Sequence, residues 1–152
     1  MRHVWRVRAL AVTALLAVAS CSNTSGPPAI DYLALLTAQQ AKWSTVRPAN
    51  YAYDYKLTGF FVSFADRTIH VAVRGDTVRM VAAIDAGPAL TITPAMFPTM
   101  DALFSTLAGH ARNGTINAVE FDVALGYPKG YAISGPADGS GAGFVTGLVS
   151  IP

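Results

Sequence analysis

Ile69-His70-Val71-Ala72-Val73-Arg74-Gly75-Asp76-Thr77-Val78-Arg79-Met80-Val81-Ala82 is the stretch on which the fold turns. Apolar residues at every second position on either side of Gly75-Asp76 predict two short strands joined by a two-residue turn. That turn pairs Val73 with Val78, Val71 with Met80 and Ile69 with Ala82 on one face. The other face then pairs Arg74 with Thr77, Ala72 with Arg79 and His70 with Val81. A slip of one residue would invert both faces, so turn and alternation support each other. His70 and Arg79 are expected on the polar, solvated face.

Upstream, Tyr51, Tyr53, Tyr55 and Leu57 alternate with Ala52, Asp54, Lys56 and Thr58, the period of a strand with one aromatic and one polar face. Three tyrosines in a row suit either a binding groove or a half-buried face, and burial is the commoner fate of aromatic residues. Before them, Ala29 to Val46 reads as a helix with Leu33, Leu36, Gln40 and Trp43 on one side and Leu35 and Ala38 beside them. Arg47-Pro48 ends it, because a residue preceding proline avoids the α region. Trp43 suits ligand stacking or, more commonly, anchoring the helix on a sheet.

Downstream, Asp85 to Pro98 holds Gly87, Pro88, Pro94 and Pro98 and is expected to be a loop. A second helix follows over Met100 to Arg112. Thr99 suits its N-cap, Asp101 its positive start, and Asn113-Gly114 its end. Met100, Leu103, Phe104, Leu107 and Ala111 form its core stripe, and His110 in the last turn suits the negative helix end. Val119, Phe121 and Val123 alternate with Glu120 and Asp122 as a further strand. Gly126-Tyr127-Pro128-Lys129-Gly130 makes a turn or bulge before Tyr131-Ala132-Ile133. Gly135 to Gly143 reads as a flexible loop, and Phe144 to Ile151 as a last strand at a sheet edge, weakened by Gly147. The expected class is α+β: an antiparallel sheet of five or six strands with two helices packed on one face, formed by residues 29–152 as a single domain.

The N-terminal residues carry a different signal. Arg2, Arg6 and Arg8 precede an apolar run from Ala9 to Ala19, and Ala19-Ser20 is a small-residue cleavage site, so residues 1–20 read as an export leader. The run is shorter than the roughly 17–25 residues of a membrane span. Leu15-Leu16-Ala17-Val18-Ala19-Ser20-Cys21 resembles a bacterial lipobox and ends in the only cysteine of the chain. Cys21 has no partner for a disulfide, and a free thiol in an oxidising compartment would be a liability. Lipidation, as in palmitate-bearing lipoproteins, removes it. Residues 21–28 then form an acylated tether, Ser22 to Pro28 being polar with Gly and Pro. The expected location is the bacterial cell envelope, on a membrane through the lipid on Cys21. Ser22 in place of Asp resembles the sorting pattern of the outer membrane in a Gram-negative cell.

Of the chain's 11 Lys+Arg, three lie in the leader, which leaves eight cations against nine carboxylates and a mature charge of −1. Without a clustered basic face no nucleic-acid partner is expected. The leader's 20 residues leave 132 of 152, enough for one core. With 52% hydrophobic and 13% charged residues, the domain is poorly charged and suits a partner over an apolar face. The sequence carries no HExxH, no Cys/His metal spacing, no GxSxG and no Walker loop. Gly139-Ser140-Gly141-Ala142-Gly143 lacks the following helix and lysine of a phosphate loop. Glu120 and Asp122, on one strand face, are more often solvent-facing than cation-binding. No cofactor and no metal are therefore expected.

Several motifs in order carry a resemblance: Trp43 at a helix end, Tyr51-x-Tyr53, Val71-x-Val73-x-x-Asp76-x-Val78 around Gly75, Asp101-x-Leu103-Phe104, and Phe121 running into Gly126-Tyr127-Pro128. Together, over about Ala41 to Ile151, they resemble an uncharacterised family of small bacterial lipoproteins, a domain of unknown function. Members of that family often carry a cysteine pair where this chain has Gly59-Phe60-Phe61, and acidic residues before the last strand where only Asp138 stands. The resemblance implies fold and location and brings no activity with it.

The expected function is therefore non-enzymatic: an envelope interaction or accessory module that docks a protein partner or another envelope component. The alternative is a small-ligand-binding domain. Trp43, Tyr51, Tyr53, Tyr55 and Tyr127 are the candidate ligand or partner contacts. An enzyme with a site around His70, Asp54 and Arg79 ranks last.

Overall fold

A computed structural model describes residues 29–60, 62–135 and 140–152. The leader, Cys21 and the tether to Pro28 lie outside the described residues, as do Phe61 and residues 136–139, Asp138 among them. Helix α1 (Tyr32–Val46) leads into strands β1 (Asn50–Thr58), β2 (Thr68–Arg74) and β3 (Thr77–Ala83). A long loop with one 3-10 turn (Pro94–Met96) reaches helix α2 (Met100–Arg112), and β4 (Ile116–Phe121), β5 (Pro128–Ile133) and β6 (Gly141–Ser150) follow.

The six strands form one antiparallel sheet in the order β3-β2-β1-β6-β5-β4. Two three-stranded meanders thus join through their first and last strands, and the fold is α+β as expected. Helix α1 begins three residues later than the apolar pattern suggests, because Asp31 caps it by accepting from the Ala34 N–H at 3.0 Å. Helix α2 has the expected bounds, with the Thr99 hydroxyl accepting from Ala102 N–H. Both helices lie over the inner face of the sheet. The loop before α2 continues that layer toward β2 and β3, where Phe97 is buried and Leu90 and Ile92 pack on the core.

Three sequence expectations need correction. The β2–β3 hairpin keeps Val73↔Val78 and Arg74↔Thr77, but a bulge between Ala72 and Val73 shifts the rest to Ala72↔Met80, Val71↔Val81 and Ile69↔Ala83. Arg79 is the extra residue, and a bulge with a cation on an edge strand disfavours pairing with another chain. The last strand is central rather than at an edge, and it begins at Gly141, inside the stretch read as a loop. Gly143 is required there: a Cβ at this position would run into the Tyr131 ring, which lies across it from β5. The strand through Val119 and Phe121 stops at Phe121. Val123 is exposed in the following turn, and Asp122 spends its carboxylate on the N–H groups of Ala124 and Leu125 at 2.9 and 2.7 Å. Glu120 and Asp122 therefore do not share a strand face.

Candidate functional site

The aromatic contact candidates come together on the inner face of the sheet, and they are buried. Tyr51, Tyr53 and Tyr55 project inward from β1, Trp43 meets them from α1, and Tyr127 closes on Trp43 from the β4–β5 turn. Trp43 stands edge-on to Tyr51 and Tyr127, with ring centroids 5.5 and 6.2 Å away. Tyr51, Tyr53 and Tyr55 follow at successive 6.3 Å spacings, and Tyr55 meets Phe97 edge-on. All five candidates are at most 6% exposed. They form the middle of the core and present no ring to a molecule outside it.

The hydroxyls explain why these positions are tyrosine and not phenylalanine. Tyr51 Oη accepts from the Met100 N–H at 3.0 Å, satisfying a donor in the first turn of α2 that the helix itself leaves without a partner. Tyr53 donates to the Pro98 carbonyl two residues earlier in the chain. Tyr55 and Tyr131 join their hydroxyls at 2.6 Å across β1 and β5. Burial holds the Tyr53, Tyr55, Tyr131 and Tyr51 phenols above their ordinary pKa, since each would have to ionise away from water. One polar atom is left over: Trp43 Nε1 is buried with no hydrogen-bond partner among the described residues.

Two open clefts lie elsewhere, and none of the five candidates lines either one. The first, about 480 Å³, runs between the hairpin tip at Asp76-Thr77-Val78 and the loop at Pro94 to Thr99. Beside it Arg47 bonds Asp76 at 2.8 Å and Asp101 at 2.6 Å, tying the end of α1 to the hairpin and to α2. The second, about 260 Å³, is a shallow trough on the outer face of β4, β5 and β6, where Ala118, Ala132 and Ala142 stand side by side below Phe144.

That outer face mixes polar groups with three of the exposed apolar side chains, others of which, Val46, Met96 and Val123 among them, lie in loops and at a helix end. The register aligns Met80, Ala72, Ala52 and Val149 in one row across four strands. The next row holds Ala82, His70, Asp54 and Thr146, and the one after it Thr68, Lys56, Phe144 and Gly130. Met80, Val149 and Phe144 are 52%, 54% and 43% exposed. His70 is not simply solvated as expected: its Nδ1 bonds Asp54 Oδ1 at 2.8 Å across the β1–β2 pair, with both side chains half-buried. Beside Asp54, β6 carries an extra residue where Gly147 takes a φ of 61°. This left-handed backbone favours glycine and lets the strand bulge.

A carboxylate-oriented imidazole can relay a proton, but here it stands on an open sheet face and not in a cleft. Its neighbours in the row are Ala82 on one side and Asp54 on the other, and Thr146 lies beyond Asp54. Among the described residues the ring's hydrogen bond goes to Asp54, and Arg79 sits at the edge-strand bulge. His110 bonds the Thr115 hydroxyl at 2.9 Å and closes the turn after α2. Among the described residues, no group of three or more His, Cys, Asp or Glu side chains is arranged to hold a metal ion. No helix among them is long and apolar enough to cross a membrane. The last-ranked alternative grouped His70 with Asp54 and Arg79, and the structure brings the first two together while Arg79 stands at the bulge. The signal was present, since His70 and Asp54 both sit on polar faces of strands that turn out to be neighbours.

Residues 35–141 match a family of unknown function (DUF6174), and the chain belongs to that family. The match takes in α1 from its second turn and every strand up to the start of β6, and so includes each motif from Trp43 to Pro128 on which the resemblance was read. No curated protein and no solved structure matches the chain.

Proposed function

We propose that this member of the family is a lipid-anchored domain of the bacterial cell envelope, exported by residues 1–20, acylated at Cys21, and acting as a non-enzymatic interaction or accessory module. Its working surface is the outer face of the sheet. The observation that carries this reading is the division between the two faces: the five candidate rings are consumed by the core, while Met80, Phe144 and Val149 are left exposed opposite it. Exposed apolar side chains on one sheet face are groups that a docked partner would take out of water. The small-ligand reading is weaker, because Trp43, Tyr51, Tyr53, Tyr55 and Tyr127 pack ring against ring and line neither cleft. The position of Ser22 favours the outer membrane if the cell is Gram-negative.

Two measurements test the proposal. In cells fed an alkyne-bearing palmitate, the wild-type protein takes up label and sediments with membranes, whereas Cys21→Ser takes up none. An unlabelled wild-type chain overturns the anchor. A photo-crosslinking residue at Val149 gives a discrete product in intact cells, and the same residue at Ser105 on the exposed side of α2 does not. Equal products, or none, from both positions overturn the assignment of the working surface.

A further inference from the structure

We infer that the outer face of the sheet rests on an anionic lipid surface, the bilayer to which the chain is tethered. This rests on the acylation of Cys21 proposed above, and it names the partner of the surface assigned there.

Tether length gives the first argument. Ten residues separate Cys21 from Tyr32, where α1 begins. Fully extended they reach about 35 Å, close to the diameter of a domain of this size. The domain therefore stays at the bilayer, and some part of its surface faces the headgroups. The tether starts at an edge of the sheet, since the Tyr32 hydroxyl donates to the Asn117 carbonyl on β4 at 2.8 Å. From an edge, either face can be turned toward the lipid.

Charge decides which. The outer face has two carboxylates, and both are paired: Asp54 with His70, and Glu120 with Lys129 at 2.9 Å. Lys56 stands on the same face and Arg79 at its edge, neither with a carboxylate in ion-pair range among the described residues, and Arg74 on that face donates to the Pro152 oxygen just past the end of β6. The rest of the described domain carries six carboxylates, Asp31, Asp66, Asp76, Asp85, Asp101 and Asp122, against four cations, Lys42, Arg47, Arg67 and Arg112, and so a small surplus of acid. An anionic surface attracts the first arrangement and repels the second. Met80, Phe144 and Val149, exposed among those cations, supply the apolar groups that an interfacial surface needs.

The test uses the mature acylated protein on vesicles of phosphatidylethanolamine and phosphatidylglycerol. With Cys21 acylated the chain has no other thiol, so a single introduced cysteine reports its own surroundings to a water-soluble maleimide. Met80→Cys and Val149→Cys are expected to react about tenfold more slowly on these vesicles than on phosphatidylcholine vesicles, and Ser105→Cys equally fast on both. Adding Lys56→Glu and Arg74→Glu restores fast reaction at Val149→Cys, with an unchanged unfolding midpoint showing that the domain is intact. Equal rates at Val149→Cys and Ser105→Cys on the anionic vesicles overturn the inference. Slow reaction that depends on protein concentration and not on lipid assigns the face to a second copy and also overturns it, as does protection found only in native envelopes, which assigns the face to a protein. A wild-type chain that itself reacts shows Cys21 unacylated, and the anchor then fails with the inference built on it.

Discussion

On the inner side of β1, Tyr51, Tyr53 and Tyr55 end on the Met100 N–H, the Pro98 carbonyl and the Tyr131 hydroxyl. On the outer side of the same strand, Ala52, Asp54 and Lys56 meet Val149, His70 and Phe144 with solvent beyond. One side spends large rings and every hydroxyl on internal partners, and through Pro98 and Met100 it fixes where α2 begins. The other carries small groups, the half-buried hydrogen bond of His70 to Asp54, and Lys56 beside Phe144. A fold that needed both faces for stability would not leave its largest outer side chains about half exposed. The inner face therefore holds the structure together, and this contrast is the ground for proposing that a partner meets the outer one.

The largest effect should come from breaking the inner face at its centre. Trp43→Ala removes a fully buried ring between Tyr51 and Tyr127 and is expected to cost about 3–5 kcal/mol, read from urea unfolding. On the outer face Val149→Ala should stay within about 0.5 kcal/mol. A loss of comparable size at Val149 would erase the distinction.

Gly143→Ala tests the closest approach between strands. Its Cβ would meet the Tyr131 ring, so the ring and its bond to Tyr55 must move, at a cost of about 1–3 kcal/mol. Tyr51→Phe keeps the ring and removes only the acceptor, leaving the Met100 N–H buried without a partner, again about 1–3 kcal/mol. A neutral result for Tyr51→Phe, measured the same way, would mean that the hydroxyl does not fix the start of α2.

The same burial sets a pH dependence. The Tyr53, Tyr55 and Tyr131 phenols are raised by burial, so above the ordinary value of about 10 the unfolded chain releases protons that the folded chain keeps. The stability they contribute is whole below that value and is lost as the pH rises beyond it. Phenolate absorbance and loss of circular dichroism should therefore rise together in one alkaline step. Gradual ionisation of these tyrosines with intact dichroism would show the inner face to be open to water. The smallest effect is expected at the outer His70–Asp54 hydrogen bond, where His70→Ala should cost no more than about 1 kcal/mol, because both side chains are partly exposed.

Much of the inner face was legible in the sequence because it depends on local rules. Period two at Tyr51, Tyr53 and Tyr55, a two-residue turn at Gly75-Asp76, and Thr99 before the Met100–Arg112 stripe each reveal an element from a few neighbours. What stayed hidden depends on partners distant in the chain. Gly143 reads as loop until the Tyr131 ring is found lying over it. Gly147 reads as the weakness of an edge strand until its left-handed backbone is found to seat a bulge in a central one. The bulge at Arg79 is invisible to a perfect alternation, since one extra residue alters the register without altering the composition. The aromatic residues were recognised as a group, but whether a face of tyrosines opens on a groove or a core depends on what covers it. The cover is Trp43 from α1 and Phe97 from a loop that the sequence shows only as proline-rich.

The most direct measurement is on a triple variant, Met80→Ser with Phe144→Ser and Val149→Ser, comparing its urea unfolding midpoint and its attachment to the anionic vesicles with those of the wild-type acylated protein. If the outer face is kept for a partner and not for the fold, the midpoint stays where it was. Maleimide protection of a cysteine at nearby Thr146 on that face is then lost. A fall in midpoint like that of Trp43→Ala would contradict the account, because it would make the outer face a second core.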